Sequence, residues 1–119
     1  MEKKRGLYLG TEIDGKWWRR YTKDGFFCRG NGEYWYDDQG FYFLRSYFKQ
    51  PIFIAFSTVS EAKTGKFHSG KWCFGAPILK IIWKKDNLLL SSGFVPYDKY
   101  NKREDTQVLL NILQQKIKK

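Results

Sequence analysis

Histidine is almost missing from this 119-residue sequence: His68 is the only one. A Ser-His or Cys-His pair needs an imidazole within hydrogen-bond reach of its nucleophile, so any such catalysis would rest on that single residue. Its setting, Phe67-His68-Ser69-Gly70, matches no catalytic motif and reads as a surface or loop histidine. Cysteine is scarce as well. Cys28 and Cys73 stand far apart, outside any C-x-x-C pair, and with one histidine they fall short of a four-ligand zinc site. Two reduced, half-buried thiols are expected. Long apolar runs are absent too: Ile78-Leu79-Lys80-Ile81-Ile82-Trp83 is broken by a lysine, which excludes a membrane-spanning helix there. The basic start, Met1-Glu2-Lys3-Lys4-Arg5, is not followed by the apolar stretch of a signal peptide, so a cytoplasmic location is expected. The glycines of 25–32 and 65–75 lack the strand-to-helix setting of nucleotide-binding loops. Asp37 and Asp38 are adjacent, so they read as turn residues and not as an acid/base couple. The expectation is a protein that is not an enzyme, with no catalytic residue, metal or cofactor.

What the chain has in quantity is aromatic side chains and positive charge. Phe, Trp and Tyr make up 19% of it, and 22 basic residues against 12 acidic ones leave a net charge of +10. Such a charge invites an acidic partner, whether nucleic acid, an anionic membrane surface or an acidic protein, unless it is spread as solvated surface. The two ends, Lys3-Lys4-Arg5 and Lys116-Ile117-Lys118-Lys119, hold six of the basic residues, so most of the charge lies inside the sequence. With 42% hydrophobic residues the chain is of the globular class, and its length suits one domain, 1–119.

Period-2 runs bounded by Gly, Asp and Asn dominate residues 25–95, the signature of antiparallel strands. Gly32-Glu33-Tyr34-Trp35-Tyr36 and Phe41-Tyr42-Phe43-Leu44-Arg45 form a hairpin around Asp37-Asp38-Gln39-Gly40. Pro51 opens a strand whose Ile52, Ile54 and Phe56 share a face. Residues 59–66 read as a strand or as a turn of helix. Residues 65–77 are too rich in glycine for long regular structure and read as an aromatic loop. A second hairpin joins 78–84 to 88–95 through Lys85-Asp86-Asn87, with Leu79, Ile81 and Trp83 facing one way. The period then changes. Val108, Leu109, Ile112, Leu113 and Ile117 mark an amphipathic helix over 103–118 with Asp105 as its N-cap, and its apolar stripe needs a sheet to cover. Residues 1–24 are irregular on this pattern, apart from a strand start at Leu7-Tyr8-Leu9.

Mostly β, with a bent antiparallel sheet or partly open barrel capped by a C-terminal helix, is the order of elements in pleckstrin-homology-like domains. The chain resembles their bacterial, GRAM-like members through Gly32 to Phe43, Pro51 to Ile54, Gly75 to Ile81 and Ser92 to Val95. The resemblance implies a fold without a catalytic motif. In some eukaryotic relatives basic residues between the first two strands bind phosphoinositide headgroups; on the present pattern that connection is the acidic Asp37-Asp38-Gln39-Gly40, so no site residue is carried over.

The densest chemistry is Lys16-Trp17-Trp18-Arg19-Arg20-Tyr21, with Lys66, Lys71 and Trp72 as a second basic-aromatic group. Aromatic rings stack on bases while guanidinium groups hold phosphates, and the same residue types dominate protein hot spots. A tryptophan filling the core under a basic surface is the third reading. The expected role is a noncatalytic binding or assembly module, with a protein partner or self-association first and nucleic acid or an anionic membrane surface as alternatives.

Overall fold

The computed structural model describes residues 3–21, 30–68, 71–72, 77–96 and 102–117, giving the backbone alone for Trp17, Phe67, Lys71, Trp72, Lys102 and Arg103. The stretch 1–24, irregular on the sequence pattern, holds two strands, β1 (Lys4–Ile13) and β2 (Lys16–Arg20). Asp14 and Gly15 join them with φ of 57° and 69°, the left-handed pair of a two-residue hairpin turn. Next come β3 (Gly30–Tyr36), β4 (Gly40–Arg45) and β5 (Ile52–Ala55). A 3-10 turn at Phe56–Thr58 leads into β6 (Val59–Gly65), so the ambiguous segment is a strand. The glycine-rich stretch is not wholly loop: β7 (Phe67–His68) and β8 (Lys71–Trp72) pair within it. Strands β9 (Ile78–Lys85) and β10 (Leu88–Pro96) form the second expected hairpin, on left-handed Asp86 and Asn87, and α1 (Lys102–Ile117) follows.

All pairings are antiparallel, in the order β5-β4-β3-β1-β10-β9-β6. Strand β1 is shared: β3 lies along its first half, and β2 pairs with Glu12 and Ile13 in its second. Between Tyr8 and Thr11 its register with β10 slips, and Gly10 there has φ 101°. Such a bulge bends a strand. The sheet curls strongly. Strands β4 and β10 are three places apart, about 14 Å in a flat sheet, yet the rings of Phe41 and Phe94 are centred 5.0 Å from each other.

The concave side is an aromatic core. Phe94 also meets Tyr8 and Phe43 at 5.4 Å each, and Tyr34, Ile52, Ile54, Leu79, Ile81, Trp83 and Leu90 complete the buried set. The strand over residues 52–55 ends before Phe56, which opens the 3-10 turn and packs half-buried against the core. Polar atoms inside are linked in a chain: Tyr8 Oη to Thr11 Oγ1 at 2.6 Å, Thr11 to Ser92 Oγ at 2.8 Å, and Trp83 Nε1 donating to Ser92 Oγ at 3.0 Å. That meets the requirement that buried polar groups be hydrogen-bonded.

Helix α1 packs on β6, β9, β10 and the 3-10 turn. Its buried stripe is Leu109, Leu110 and Leu113, flanked by Ile117, while Val108 is 46% exposed. Counting at 100° per residue, Val108 lies 200° from Leu110, so both cannot face the core. The helix starts at Lys102, which puts the buried Asp105 in its first turn and not at the N-cap.

At the β3–β4 turn, Asp37 Oδ1 accepts the amides of Gln39 (2.8 Å) and Gly40 (3.1 Å), and Oδ2 accepts the Tyr42 hydroxyl (3.0 Å). Partial desolvation works to raise this carboxyl. The three hydrogen bonds and the charge of Lys116 outweigh it and hold Asp37 below its ordinary 3.8. Desolvation, together with the bond to Asp37 and its charge, raises the Tyr42 hydroxyl.

A carboxylate depressed in the folded state adds stability that is present above its unfolded value and is lost as pH falls through its folded one. Melting temperature is therefore expected to drop more steeply in the wild type than in Asp37→Asn as pH is lowered from about 5 to 2, near and below the normal Asp range. Parallel slopes would mean the turn contributes nothing to acid sensitivity. For the helix, Leu113→Ala should cost about 3 kcal/mol in urea unfolding, and Val108→Ala under about 0.5 kcal/mol.

Candidate contact surface

Strand β2 carries four of the sequence-derived contact residues outward: Lys16, Trp18, Arg19 and Arg20 are exposed. Trp18 shows 63% of its surface, an unusual state for so large a ring. Arg19 Nη1 reaches the Asp14 carboxylate at 3.0 Å, a bond made across the hairpin turn between two half-exposed groups. Tyr21 does not belong to this surface. It is 3% exposed and part of the core, and its amide continues the β2 edge by donating to the Thr11 carbonyl at 2.9 Å. Trp17 lies on β2, with its side chain outside the described atoms.

The second group sits on the short β7–β8 hairpin and the residue before it. Lys66 is exposed, and Lys71 and Trp72 pair with His68 and Phe67 across the hairpin. What holds the hairpin down is His68, which is not a surface residue but fully buried. Its Nε2 lies 2.8 Å from the Gly10 carbonyl. A carbonyl only accepts, so Nε2 is the protonated nitrogen. Nδ1 then faces Glu12 Oε1 at 3.6 Å, in a pair with side chains 0% and 5% exposed. The ring fits against β10 because residue 93 is glycine: a Cβ there would meet His68 Cδ2 at 2.4 Å.

Glu12 is the hub of this arrangement. It is the cross-strand partner of Arg20 in β2, and its carboxylate faces His68 of β7, so the two basic-aromatic segments, far apart in sequence, meet on one residue of β1. Beside it opens a cavity of about 170 Å³, lined by Glu12, Asp14, Lys63, Lys80 and Ser91 among others. Its charges are mixed, two acids facing two lysines. Among the described residues no three His, Cys, Asp or Glu side chains gather as a metal-binding group. Cys28 and Cys73 lie outside the described residues.

Sequence reasoning missed Glu12 and the hairpin that places β2. The signal for the hairpin was present: Asp14-Gly15 is a strong two-residue turn dipeptide. Nothing near residue 12 marks a buried acid, because its burial depends on a strand more than fifty positions away.

The strand order, the curl and the terminal helix agree with the comparison against protein families, in which the model described as bacterial PH domain-like matches residues 1–109. The chain belongs to the bacterial PH domain-like family. No curated protein matches it. Within this bacterial PH domain-like fold the acidic turn 37–40 joins β3 to β4. It is therefore not the connection after the first strand; that one turns at Asp14-Gly15 and runs into Lys16 to Arg20. The alternation of β1 is broken by its bulge, which hid the strand and moved the apparent start of the sheet to β3. No helix among the described residues is long and apolar enough to cross a membrane.

The glycine and histidine that seat the hairpin should be coupled. Gly93→Ala is expected to cost about 2 kcal/mol through overpacking against the imidazole. In a double-mutant cycle with His68→Ala the two losses should fall short of additivity by at least about 1 kcal/mol. Additive losses in urea unfolding would place the ring elsewhere.

Proposed function

We propose that this bacterial PH domain-like chain is a noncatalytic binding module that works in the cytoplasm and grips an acidic protein partner through β2, with the β7–β8 hairpin beside it. The observation that carries the proposal is Trp18, 63% exposed on a strand whose neighbours Lys16, Arg19 and Arg20 are exposed as well. Trp and Arg are the residue types on which protein interfaces concentrate their energy. The net charge of +10 favours an acidic partner and speeds its approach.

A second reading, binding to anionic headgroups, has one observation in its favour: the connection that follows the first strand is the basic β2 hairpin and not the acidic turn. Nucleic acid uses the same residues by phosphate neutralisation and stacking.

The test is affinity capture of partners from cell extract with wild type, Trp18→Ala and Arg20→Glu. A protein partner held by the wild type should lose at least about 30-fold in affinity on Trp18→Ala, the loss typical of a hot-spot residue. The same proteins are titrated with labelled single-stranded oligonucleotide and with acidic and neutral vesicles at two salt concentrations. Saturable oligonucleotide binding near physiological salt, or binding to acidic vesicles alone, would replace the protein reading by the corresponding alternative.

A further inference from the structure

Among the described residues β5 and β6 end the row of strands in the large sheet, β2 is recorded in pairing with β1, and β7 and β8 with each other. Open edges invite pairing with other chains, and proteins guard them with charge. Strand β2 carries Lys16, Arg19 and Arg20, all exposed. Strand β6 carries exposed Glu61 and Lys63, and Gln114 of the helix donates to its Ala62 carbonyl at 3.2 Å. Strand β5 is Ile52-Phe53-Ile54-Ala55, without a charge in a chain where 29% of residues are charged. Only Pro51, just before it, interrupts donors along that edge.

The convex face above β5 points the same way. Trp35, Tyr42 and Phe53 are cross-strand partners on β3, β4 and β5, and their rings form a ladder with centroids 5.3 and 4.9 Å apart. These steps match the spacing of neighbouring strands. Gly40 makes room for the last rung, since a Cβ there would meet Phe53 Cε1 at 2.6 Å. At one end the ammonium of Lys3 covers Trp35, 4.8 Å from its ring centre. At the other end Phe53 stands at the sheet edge, 43% exposed.

We propose that β5 pairs antiparallel with β5 of a second copy of this chain, so that the sheet and its aromatic ladder run on across a two-fold axis with Phe53 stacked against Phe53 of its twin. In such an isologous pairing about residue 53, Ile52 lies opposite Ile54 of the other copy, and all four inner-facing side chains are apolar. The charge pattern selects a second copy as occupant. Two chains of +10 repel wherever their cations meet, and of the two end strands of the large sheet β5 is the one without a charged side chain. Pairing of four-residue strands with one aromatic contact covers less than the about 1,200 Å² of a stable specific interface. The dimer is therefore weak and fills only at high concentration or when another contact holds two copies together.

Sedimentation equilibrium from about 10 μM to 1 mM tests this with wild type, Phe53→Lys and Trp18→Ala. The range brackets the affinity of a small interface. Mass should rise with concentration in the wild type and in Trp18→Ala, and Phe53→Lys should weaken association at least ten-fold while keeping the wild-type circular dichroism. Hydrogen exchange supplies a readout that needs no variant: amides of 52–55 should slow with concentration while those of β2 do not. A monomer at every concentration, association indifferent to Phe53→Lys, or association lost with Trp18→Ala would each overturn the proposal. The binding role of β2 stands or falls separately, since it is read from partner capture and not from mass.

Discussion

Phe94 is the point on which the fold turns. Its ring meets Tyr8 from β1 and Phe41 and Phe43 from β4, strands that a flat sheet would keep well apart from β10 or set beside it without overlap. The contact exists only because the sheet curls, and the curl stabilises itself by burying aromatic area that would otherwise face water. Each ring of this size removes on the order of 150–250 Å² from solvent, so the aromatic cluster supplies much of the apolar burial available to a domain this small. The bulge at Gly10 and the slip in β1 register are the backbone's concession to that bend. The helix then closes the remaining opening with Leu109, Leu110 and Leu113.

The same bend settles what the convex side can do. Strand β1 must carry two partners on one side, β3 and then β2, because its two halves diverge around the bulge. That divergence sends β2 out as a separate edge and leaves Trp18 in solvent. It also brings Glu12 to the place where β2 and the β7–β8 hairpin meet. A buried carboxylate beside a buried imidazole is poor evidence of stability by itself, since desolvating both groups offsets much of their attraction. Its value here is positional. The imidazole is pinned by Gly10 on one nitrogen, faces Glu12 with the other, and rests on the bare backbone of Gly93. A two-rung hairpin with so few hydrogen bonds of its own needs such an anchor.

How much of this was legible depends on whether the signal was local. The Asp37 to Gly40 and Asp86-Asn87 turns, the alternation that buries Leu79, Ile81 and Trp83, and the change of period at the helix are all written within a few residues, and they placed most of the sheet and the helix. The helix stripe differed in one member, Val108 for Leu110, because three apolar residues in succession, Val108-Leu109-Leu110, leave the centre of the stripe to the packing partner. The N-terminal hairpin was hidden by the bulge, which breaks alternation, and by Trp17-Trp18-Arg19-Arg20, whose doubled residues show neither period. His68 was unreadable in principle: its neighbours in sequence are loop-like, and its burial follows from Gly93 and Glu12 on other strands. Of the candidate surface, Lys16, Trp18, Arg19 and Arg20 are exposed on β2, while Tyr21, whose amide still bonds to Thr11, is buried in the core.

The distribution of charge over the open edges gives these features a common logic. A strand edge is sticky by default, because half its backbone groups are unpaired, and a protein rich in aromatic residues compounds the hazard. Exposed cations line β2, and mixed charge with the Gln114 amide guards β6. At β5 neither device is present, and the aromatic ladder instead leads up to the edge and stops with a ring half in water. Pro51 limits how far a pairing strand could extend, which keeps any association short and reversible instead of open-ended. A lysine at position 53 would close this edge as charge closes the others, since Phe53 is 43% exposed and is not among the core residues.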